Sequence, residues 1–330
     1  MKHEIRESIF GIENESDFSA VAMEVLNHQY RNNPLYKEFS DFVRKDPWNL
    51  KSINDIAFIP VEFFRNHTVV TGRMQIEMIF QSSGTTGMMP GKHFVRDLSL
   101  YEESFLRSFR MFYGNPENYI IAAMLPSYQE RCGSSLIYMV EKLIEQSGHK
   151  MSGFYRDNPE EMISNIENYS HQDRKVLLIG VSFALLDLAE RNPAPDLSGV
   201  IVMETGGMKG RRKEITRAEL HSVLKEKLNI DMVHSEYGMT EMLSQAYSAG
   251  EGIFRCPPWM KILIRDPQDP FRIFTEPGKT GGINIIDLAN VNSCSFIATS
   301  DLGKLHEDGS FEVLGRFDSS DIRGCNLMVE

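Results

Sequence analysis

The stretch Ser82-Ser83-Gly84-Thr85-Thr86-Gly87 directly follows the short apolar run Met78-Ile79-Phe80. A strand that runs into a loop of small hydroxyl residues and glycines leaves backbone N–H groups free to face an anion, and the hydroxyls add further donors. The pattern predicts a phosphate-binding loop, although a solvated turn explains the same residues taken alone. It is not a Walker A motif, because Gly91-Lys92 is followed by His93 rather than by Ser or Thr.

Outward from this loop, strand-like runs alternate with helical stretches. Asp97 and Gly114 are the expected N-cap and stop of one helix, and the first fifty residues are helical up to Asn32-Asn33-Pro34. Such alternation predicts an α/β fold with mostly parallel sheets and flanking helices. The predicted strands are 78–80, 119–125, 176–180, 200–203 and 232–234, and the predicted helices among them are 98–112, 136–146 and 213–228.

After Gly250 the pattern changes to strands and turns only. Strand-like runs at 262–264, 282–286 and 295–299, with a hairpin around 307–310, predict a small β-subdomain over about 251–314.

Polar clusters lie where predicted strands end. They are residues 82–87, Thr205-Gly206-Gly207 and 236–241. Open α/β sheets bind ligands outside the carboxyl ends of their strands, so three loops that are distant in sequence are expected to meet at one crevice.

Composition excludes several classes of function. A net charge of −11 and the absence of a basic stripe argue against nucleic-acid binding. No apolar run approaches the ~20 residues that cross a membrane, and the first residues lack the apolar segment of a secretory signal. Cys132, Cys256, Cys294 and Cys325 form no C-x-x-C pair, which argues against a zinc site and a disulfide framework. We expect a cytoplasmic protein of 330 residues with reduced thiols.

Four motifs in order resemble those of the adenylate-forming superfamily, which contains acyl-CoA synthetases, peptide-synthetase adenylation domains and luciferases. In the third of them, Ser300 replaces the expected Gly. The motifs are 82–87, Tyr237-Gly238-Met239-Thr240-Glu241, Thr299-Ser300-Asp301-Leu302-Gly303, and Gly315-Arg316-Phe317-Asp318 with Ile322-Arg323-Gly324.

Further segments resemble the LuxE-type acyl-protein synthetases of bacterial fatty-acid reductase systems. They are Ile59-Pro60-Val61 with Phe63-Phe64, Thr205-Gly206-Gly207-Met208-Lys209, Pro257-Pro258-Trp259, and Arg323-Gly324-Cys325-Asn326-Leu327. The resemblance implies an adenylate-forming large domain over 1–314 and a hinge-like tail over 315–330. The sequence ends at Glu330, just past that hinge, so the usual C-terminal lid domain is expected to be absent.

The resemblance also implies roles for the motif residues. Residues 82–87 would hold the phosphates of ATP, Gly206 and Gly207 would lie at the adenine edge, and Tyr237 would lie against adenine. Asp301 and Arg316 would contact the ribose. For Gly206 and Gly207 a plain turn is nearly as good an explanation, and an Asp-Leu-Gly turn between strands is a common structural feature.

Thr240 and Glu241 are implied to act at the reacting phosphates. Thr240 would donate to the α-phosphate and Glu241 would bind Mg²⁺, since a hard cation that bridges phosphate oxygens prefers carboxylate. The structural alternatives are that Tyr237 is a core aromatic and that Glu241 starts a helix at its positive end. No residue is assigned the role of the lid lysine; Lys92 is a possible extra cation, and a surface lysine is the alternative.

The implied activity is ATP-dependent conversion of a carboxylic acid, expected to be a fatty acid, into acyl-AMP, followed by transfer to a protein thiol. The resemblance of Arg323-Gly324-Cys325-Asn326-Leu327 implies that Cys325 is the acceptor; Arg323 favours the thiolate and Gly324 gives the tail freedom, and an ordinary exposed or half-buried thiol is the alternative. Delivery to an acyl-reductase or acyltransferase partner protein would follow. Two alternatives remain open: an acyl-CoA or acyl-carrier-protein ligase related to phenylacetate-CoA ligases, and a catalytically idle nucleotide-binding subunit of an acyl-handling complex.

Overall fold

The structure is a computed structural model, and it describes residues 2–73, 75–82, 89–126, 133–169, 173–207, 212 and 215–316. Its helices are α1 (Lys2–Phe10), α2 (Glu15–Asn32), α3 (Pro34–Phe42), α4 (Phe63–Asn66), α5 (Leu98–Tyr113), α6 (Ser135–Ser147), α7 (Pro159–Glu167), α8 (Ser182–Ala189) and α9 (Arg217–Leu228). Its strands are β1 (Ile59–Pro60), β2 (Met78–Gln81), β3 (Lys92–Val95), β4 (Tyr119–Met124), β5 (Gly153–Phe154), β6 (Lys175–Val181), β7 (Ile201–Thr205), β8 (Val233–Tyr237), β9 (Ala246–Ser248), β10 (Ile253–Phe254), β11 (Met260–Arg265), β12 (Thr280–Asp287), β13 (Phe296–Leu305) and β14 (Phe311–Arg316).

The first sheet confirms the predicted α/β alternation. Its strand order is β5-β4-β6-β7-β8-β9, and every neighbouring pair is parallel except β8 with β9. Every residue of β4 is buried, as is all of β6 after Lys175. Continuous apolar strands of this kind occur where helices cover both faces of a parallel sheet.

Local chemistry sets the helix ends. The Asp97 side chain accepts a hydrogen bond from Leu100 N at the start of α5, and Gly114 ends that helix with a φ of +85°. Helix α9 begins at Arg217, later than the predicted residue 213, because Thr216 and Glu219 form a capping box there.

The prediction that strand 78–80 joins the parallel sheet is wrong. Strand β2 pairs antiparallel with β3, and within the described residues these two strands form a separate two-stranded sheet. The cause is the short connection 82–91, since a parallel pair needs a crossover of a dozen or more residues. The predicted phosphate loop therefore belongs to the connection of a hairpin.

The strands predicted after Gly250 form a second sheet, ordered β10-β14-β13-β12-β11 and antiparallel throughout. Strand β1 adds to it from far earlier in the chain, pairing parallel to β13 with Ile59 opposite Ile297.

The N-terminal helices are attached to the second sheet by a buried amide. Gln29 of α2 is fully buried, and its Nε2 donates to the carbonyl oxygens of Asn290 and Val291, both at 3.1 Å. Its Oε1 accepts from Ser295 N at 3.0 Å, so the turn between β12 and β13 is held by the N-terminal region. Among the described helices, none is both long and apolar enough to cross a membrane.

Candidate active site

Three of the sequence motifs meet between the two sheets. Tyr237 is the last residue of β8, and its hydroxyl donates to Asp301 Oδ2 on β13 at 2.8 Å. Arg316, at the end of β14, pairs in register with Asp301, and its Nε lies 3.7 Å from Asp301 Oδ1. The structure thus brings together Tyr237, Asp301 and Arg316, which come from three of the β-strands.

Asp301 is a buried carboxylate with a protein partner. Burial raises the pKa of Asp301, while the hydrogen bond from Tyr237 and the charge on Arg316 oppose that rise. The Arg316 side chain is 77% exposed, so its charge acts on Asp301 from the solvent side. An aspartate in this setting has one oxygen bonded to Tyr237 and the other directed toward a cation.

Tyr237 is a core aromatic in part. Its ring packs edge-on against Phe254 and Phe311, with ring centroids 6.0 Å and 5.8 Å away, and 8% of the residue is exposed. Burial raises the pKa of the Tyr237 phenol well above its ordinary value, and the nearby Asp301 raises it further. The hydroxyl therefore stays protonated and acts as a donor, while a contact of the ring with adenine stays a prediction.

Glu241 lies in a turn after β8, and the alternative that it starts a helix is wrong. The turn is closed by a hydrogen bond from Met242 N to Met239 O at 3.1 Å. Glu241 is 7% exposed, and burial raises the pKa of its carboxyl group. The positive charges of Arg65 and Arg316 oppose this rise, and the negative charge of Asp301 adds to it. Glu241 is thus electrostatically part of the same cluster as Asp301 and Arg316.

The buried carboxylate of Glu241 has the donor chemistry for a magnesium ion that would be shared with phosphate. No group of three or more His, Cys, Asp or Glu within the described ranges could hold a metal by itself. Mg²⁺ in nucleotide sites is commonly held by one or two carboxylates together with substrate phosphates, and does not need an all-protein cage. A buried carboxylate with a raised pKa is the kind of group that a divalent cation would stabilise in its charged form.

The stem of the phosphate-loop candidate lies beside Glu241. Ser82 N donates to Gly91 O at 3.0 Å, and Ser82 Oγ accepts from Gly91 N at 2.8 Å. A Cβ atom on Gly91 would lie only 2.6 Å from Glu241 Oε1, so the loop stem and this carboxylate are close neighbours. The rest of the predicted loop, Ser83 to Gly87, lies outside the described residues.

Gly206 and Gly207 follow β7 next to the tyrosine motif. Thr205 pairs with Glu236, which places Gly206 beside Tyr237 at the carboxyl edge of the sheet. Gly206 has a φ of +66°, and its carbonyl accepts from Ser182 Oγ at 2.9 Å. A Cβ on Gly207 would meet no described atom within 4 Å. The positive φ of Gly206 is explained by a turn at this position. At Gly207 the described residues leave open space.

The described cysteines are poor nucleophiles. Cys294 is fully buried, and burial raises the pKa of its thiol to about 12. Burial also raises the pKa of the Cys256 thiol far above its ordinary value. Cys325, the candidate acyl acceptor, and Cys132 lie outside the described residues. Lys92 is exposed.

Sequence reasoning missed two residues behind the motif. His93 and Asn290 are fully buried and contact the backbone of Thr240 and Glu241. The alternation in β3, where His93 and Val95 are buried and Lys92 is exposed, is the signal that places His93 inward.

Comparison with protein-family models and with curated proteins gives no match. Solved structures do match. ATP-bound MatB from Rhodopseudomonas palustris is 17% identical, with a TM-score of 0.52 over 74% of this chain and 49% of that chain. An ATP-bound RpMatB–BxBclM chimera is 18% identical, with a TM-score of 0.54 over 74% of this chain and 48% of that chain.

A 2-hydroxyisobutyryl-CoA ligase in the postadenylation state, in complex with 2-HIB-AMP, is 13% identical to this chain. Its TM-score is 0.63, and the match covers 93% of this chain and 69% of that chain. The chain spans about half the length of the two MatB structures. At these identities the likeness concerns the fold, and the chain has the α/β fold of adenylate-forming enzyme domains.

Proposed function

We propose that this protein is an ATP-dependent ligase that activates a carboxylic acid as acyl-AMP. The observation that carries the proposal is the cluster of Tyr237, Asp301, Arg316 and Glu241 beside the stem of the Ser82–Gly91 hairpin connection. Two motifs that are distant in sequence supply a hydrogen-bonded aspartate and a buried glutamate to one cluster of charged groups. Buried carboxyl groups with perturbed pKa values and specific charge partners mark functional sites.

In the proposed reaction a substrate carboxylate oxygen attacks the α-phosphorus of ATP. The bond between the α-phosphorus and the bridging oxygen to the β-phosphate breaks, and pyrophosphate leaves with its electron pair. Thr240 would donate to the α-phosphate, and the 82–87 loop would bind the phosphates that gain charge. Mg²⁺, held by Glu241 and phosphate oxygens, would supply electrostatic stabilisation of that charge.

Asp301 is suited to accept from ribose hydroxyls because its orientation is already fixed. Tyr237 occupies Oδ2, and Arg316 approaches Oδ1 from solvent. A carboxylate held in this way loses little conformational freedom when a ribose binds.

We further propose that the chain is a LuxE-type acyl-protein synthetase whose acyl group passes to Cys325. The thiolate sulfur would attack the acyl carbon, the bond between that carbon and the AMP oxygen would break, and AMP would leave. The high pKa values of the Cys256 and Cys294 thiols support Cys325 over these two, since the thiolate is the nucleophile.

The experiment incubates the protein with ATP and a labelled fatty acid without added thiol. Label retained on the protein and released by hydroxylamine supports transfer to a cysteine, and Cys325→Ser should then form acyl-AMP without a protein thioester. Labelling of Cys325→Ser at the wild-type level would exclude Cys325 as the acceptor.

A second candidate, an acyl-CoA ligase, is favoured by one observation. One solved structure that matches 93% of this chain is a 2-hydroxyisobutyryl-CoA ligase in complex with 2-HIB-AMP. Product that forms only after coenzyme A is added would support this candidate, and nucleotide binding without either product would indicate an idle subunit.

A further inference from the structure

A buried pair of side chains lies directly behind the Thr240–Glu241 turn. His93 on β3 places Nδ1 2.9 Å from the Thr240 carbonyl oxygen and Nε2 3.0 Å from Asn290 Oδ1. Both side chains belong to fully buried residues, and the His93 ring meets the Phe64 ring edge-on at 5.7 Å. The pair therefore links the hairpin that continues the phosphate loop to the turn that carries the two reactive motif residues.

Asn290 has a fixed orientation. Its Nδ2 donates to Glu241 O at 2.7 Å and to Cys294 O at 2.9 Å. Reversing the amide would set an oxygen against two carbonyl oxygens, so Oδ1 must face His93. The carbonyl oxygens of Thr240 and Glu241 are thus each held by a different buried side chain.

Burial lowers the pKa of His93 to about 4, although both of its contacts oppose that change. A neutral imidazole has one N–H, so one of its two nitrogens donates, and both nitrogens face oxygen acceptors. With the proton on Nδ1 the ring bonds Thr240 O, and with the proton on Nε2 it bonds Asn290 Oδ1. Either tautomer ties β3 to the turn, directly or through Asn290.

His93, which contacts Thr240, and Gly91, which lies beside Glu241, are close together in the chain at the start of β3. Gly91 is two residues before His93, and a Cβ atom at Gly91 would come within 2.6 Å of Glu241 Oε1. A shift of β3 would therefore move the loop stem relative to the Glu241 carboxylate.

We propose that His93 and Asn290 are positioning residues that hold the Thr240–Glu241 turn in register with β3 and the Ser82–Gly91 stem. The inference rests on the proposed adenylation. Misplacing a reacting group by about 1 Å can cost about a hundredfold in rate even when the change is remote from the chemistry. Neither side chain touches a reactant, and both act through the backbone of the turn.

The test compares two substitutions that each keep one half of the imidazole. His93→Asn keeps a donor near the Nδ1 position and can still bond Thr240, whereas His93→Gln places its amide near the Nε2 position and loses that bond. Pyrophosphate–ATP exchange is measured per folded molecule at a saturating concentration of the carboxylic acid substrate. We expect His93→Gln to lose about ten- to a hundredfold in kcat, with the KM for ATP changed far less, and His93→Asn to recover most of the rate.

Stability is controlled separately, because any change at a buried site can reduce folding. Ser147→Ala removes a buried hydrogen bond of 2.6 Å to Tyr119 O at the opposite edge of the parallel sheet, and should leave kcat per folded molecule unchanged. Asn290→Asp keeps the size of the side chain but loses the donor to Glu241 O, so it should lower kcat as His93→Gln does, which tests the turn from its other carbonyl.

Three outcomes are distinguishable. Equal kcat per folded molecule in His93→Gln, His93→Asn and wild type overturns the positioning role while leaving the proposed function intact. Equal losses in the two His93 variants and in Ser147→Ala show a general effect of stability and also overturn it. No exchange by the wild-type protein with any carboxylic acid overturns the proposed function itself.

Discussion

The two carboxylates of the site, Glu241 and Asp301, are both buried and both have a raised pKa, but the protein uses them differently. Asp301 accepts from the Tyr237 hydroxyl and has Arg316 nearby, while its backbone N–H donates to Thr299 Oγ1 at 3.0 Å. Glu241 is held through its backbone carbonyl by Asn290, and its carboxylate is hydrogen-bonded to its own backbone N–H. The Asp301 side chain therefore joins two sheets, whereas the Glu241 side chain bonds locally.

Glu241→Gln is expected to give the largest effect, a loss of activity without a loss of stability at neutral pH. Glutamine keeps the size of the side chain but loses the negative charge that would hold Mg²⁺. We expect pyrophosphate–ATP exchange to fall at least about a hundredfold, as on loss of one electrostatic stabiliser of a transition state. The measurement is exchange rate together with thermal melting, and an unchanged rate in a folded variant would remove Glu241 from the mechanism.

Tyr237→Phe should sharpen the comparison by affecting stability. It leaves the buried Asp301 carboxylate without its donor, which costs about 1–3 kcal/mol of unfolding free energy. Urea denaturation measures the loss of unfolding free energy. A double-mutant cycle with Asp301→Asn gives the coupling energy between Tyr237 and Asp301. Additive single and double variants would show that the 2.8 Å contact contributes no coupling energy.

The pH dependence of stability should distinguish Glu241 from its glutamine variant. A carboxyl group whose pKa is higher in the folded protein binds its proton more tightly there, so its contribution to stability increases as pH falls through the folded pKa. At pH 7 to 8, Glu241→Gln should therefore be at least as stable as wild type, and this advantage should shrink toward pH 4.5. An advantage that grows on acidification would mean that the pKa of Glu241 is lowered.

Arg316→Ala is expected to have the smallest effect on stability. The side chain is 77% exposed and its nitrogen lies 3.7 Å from Asp301, so the ion pair should contribute less than about 1 kcal/mol. A few-fold rise in the KM for ATP would fit a ribose contact. A loss of stability as large as that of Tyr237→Phe would show that the arginine is needed to fold the site.

Much of the fold could be predicted from the sequence, because strands buried on both faces, such as β4 and β6, appear as continuous apolar runs. Helix ends at Asp97 and Gly114 follow from capping chemistry. The pairing of β2 could not be predicted from such runs, since an apolar strand of four residues does not encode its partner. The short connection to β3 would have indicated a hairpin. Strand β3 was not recognised in the sequence, because its first two residues, Lys92 and His93, are polar.

Sequence analysis identified the site residues that belong to recognisable motifs. It did not identify the contacts that hold these residues in place. Tyr237 and Asp301 are recognisable as motif residues, but their hydrogen bond joins positions 237 and 301 from different sheets. His93 and Asn290 have no pattern of their own, because their role depends on contacts with residues about fifty to one hundred and fifty positions away. Long-range pairings of this kind follow from the tertiary fold.

The pairing of β1 with β13 has a consequence for how the chain reaches its folded state. Ile59 lies opposite Ile297, a separation of 238 residues, and Gln29 contacts carbonyls more than 260 residues later. Closing loops of this length makes folding slow, because the entropy of closure is lost before the contacts form. During synthesis Ile59 and Gln29 would wait for their partners until residues 290–297 have left the ribosome. A ribosome-bound intermediate would until then leave β1 and the buried face of α2 open to chaperones and proteases.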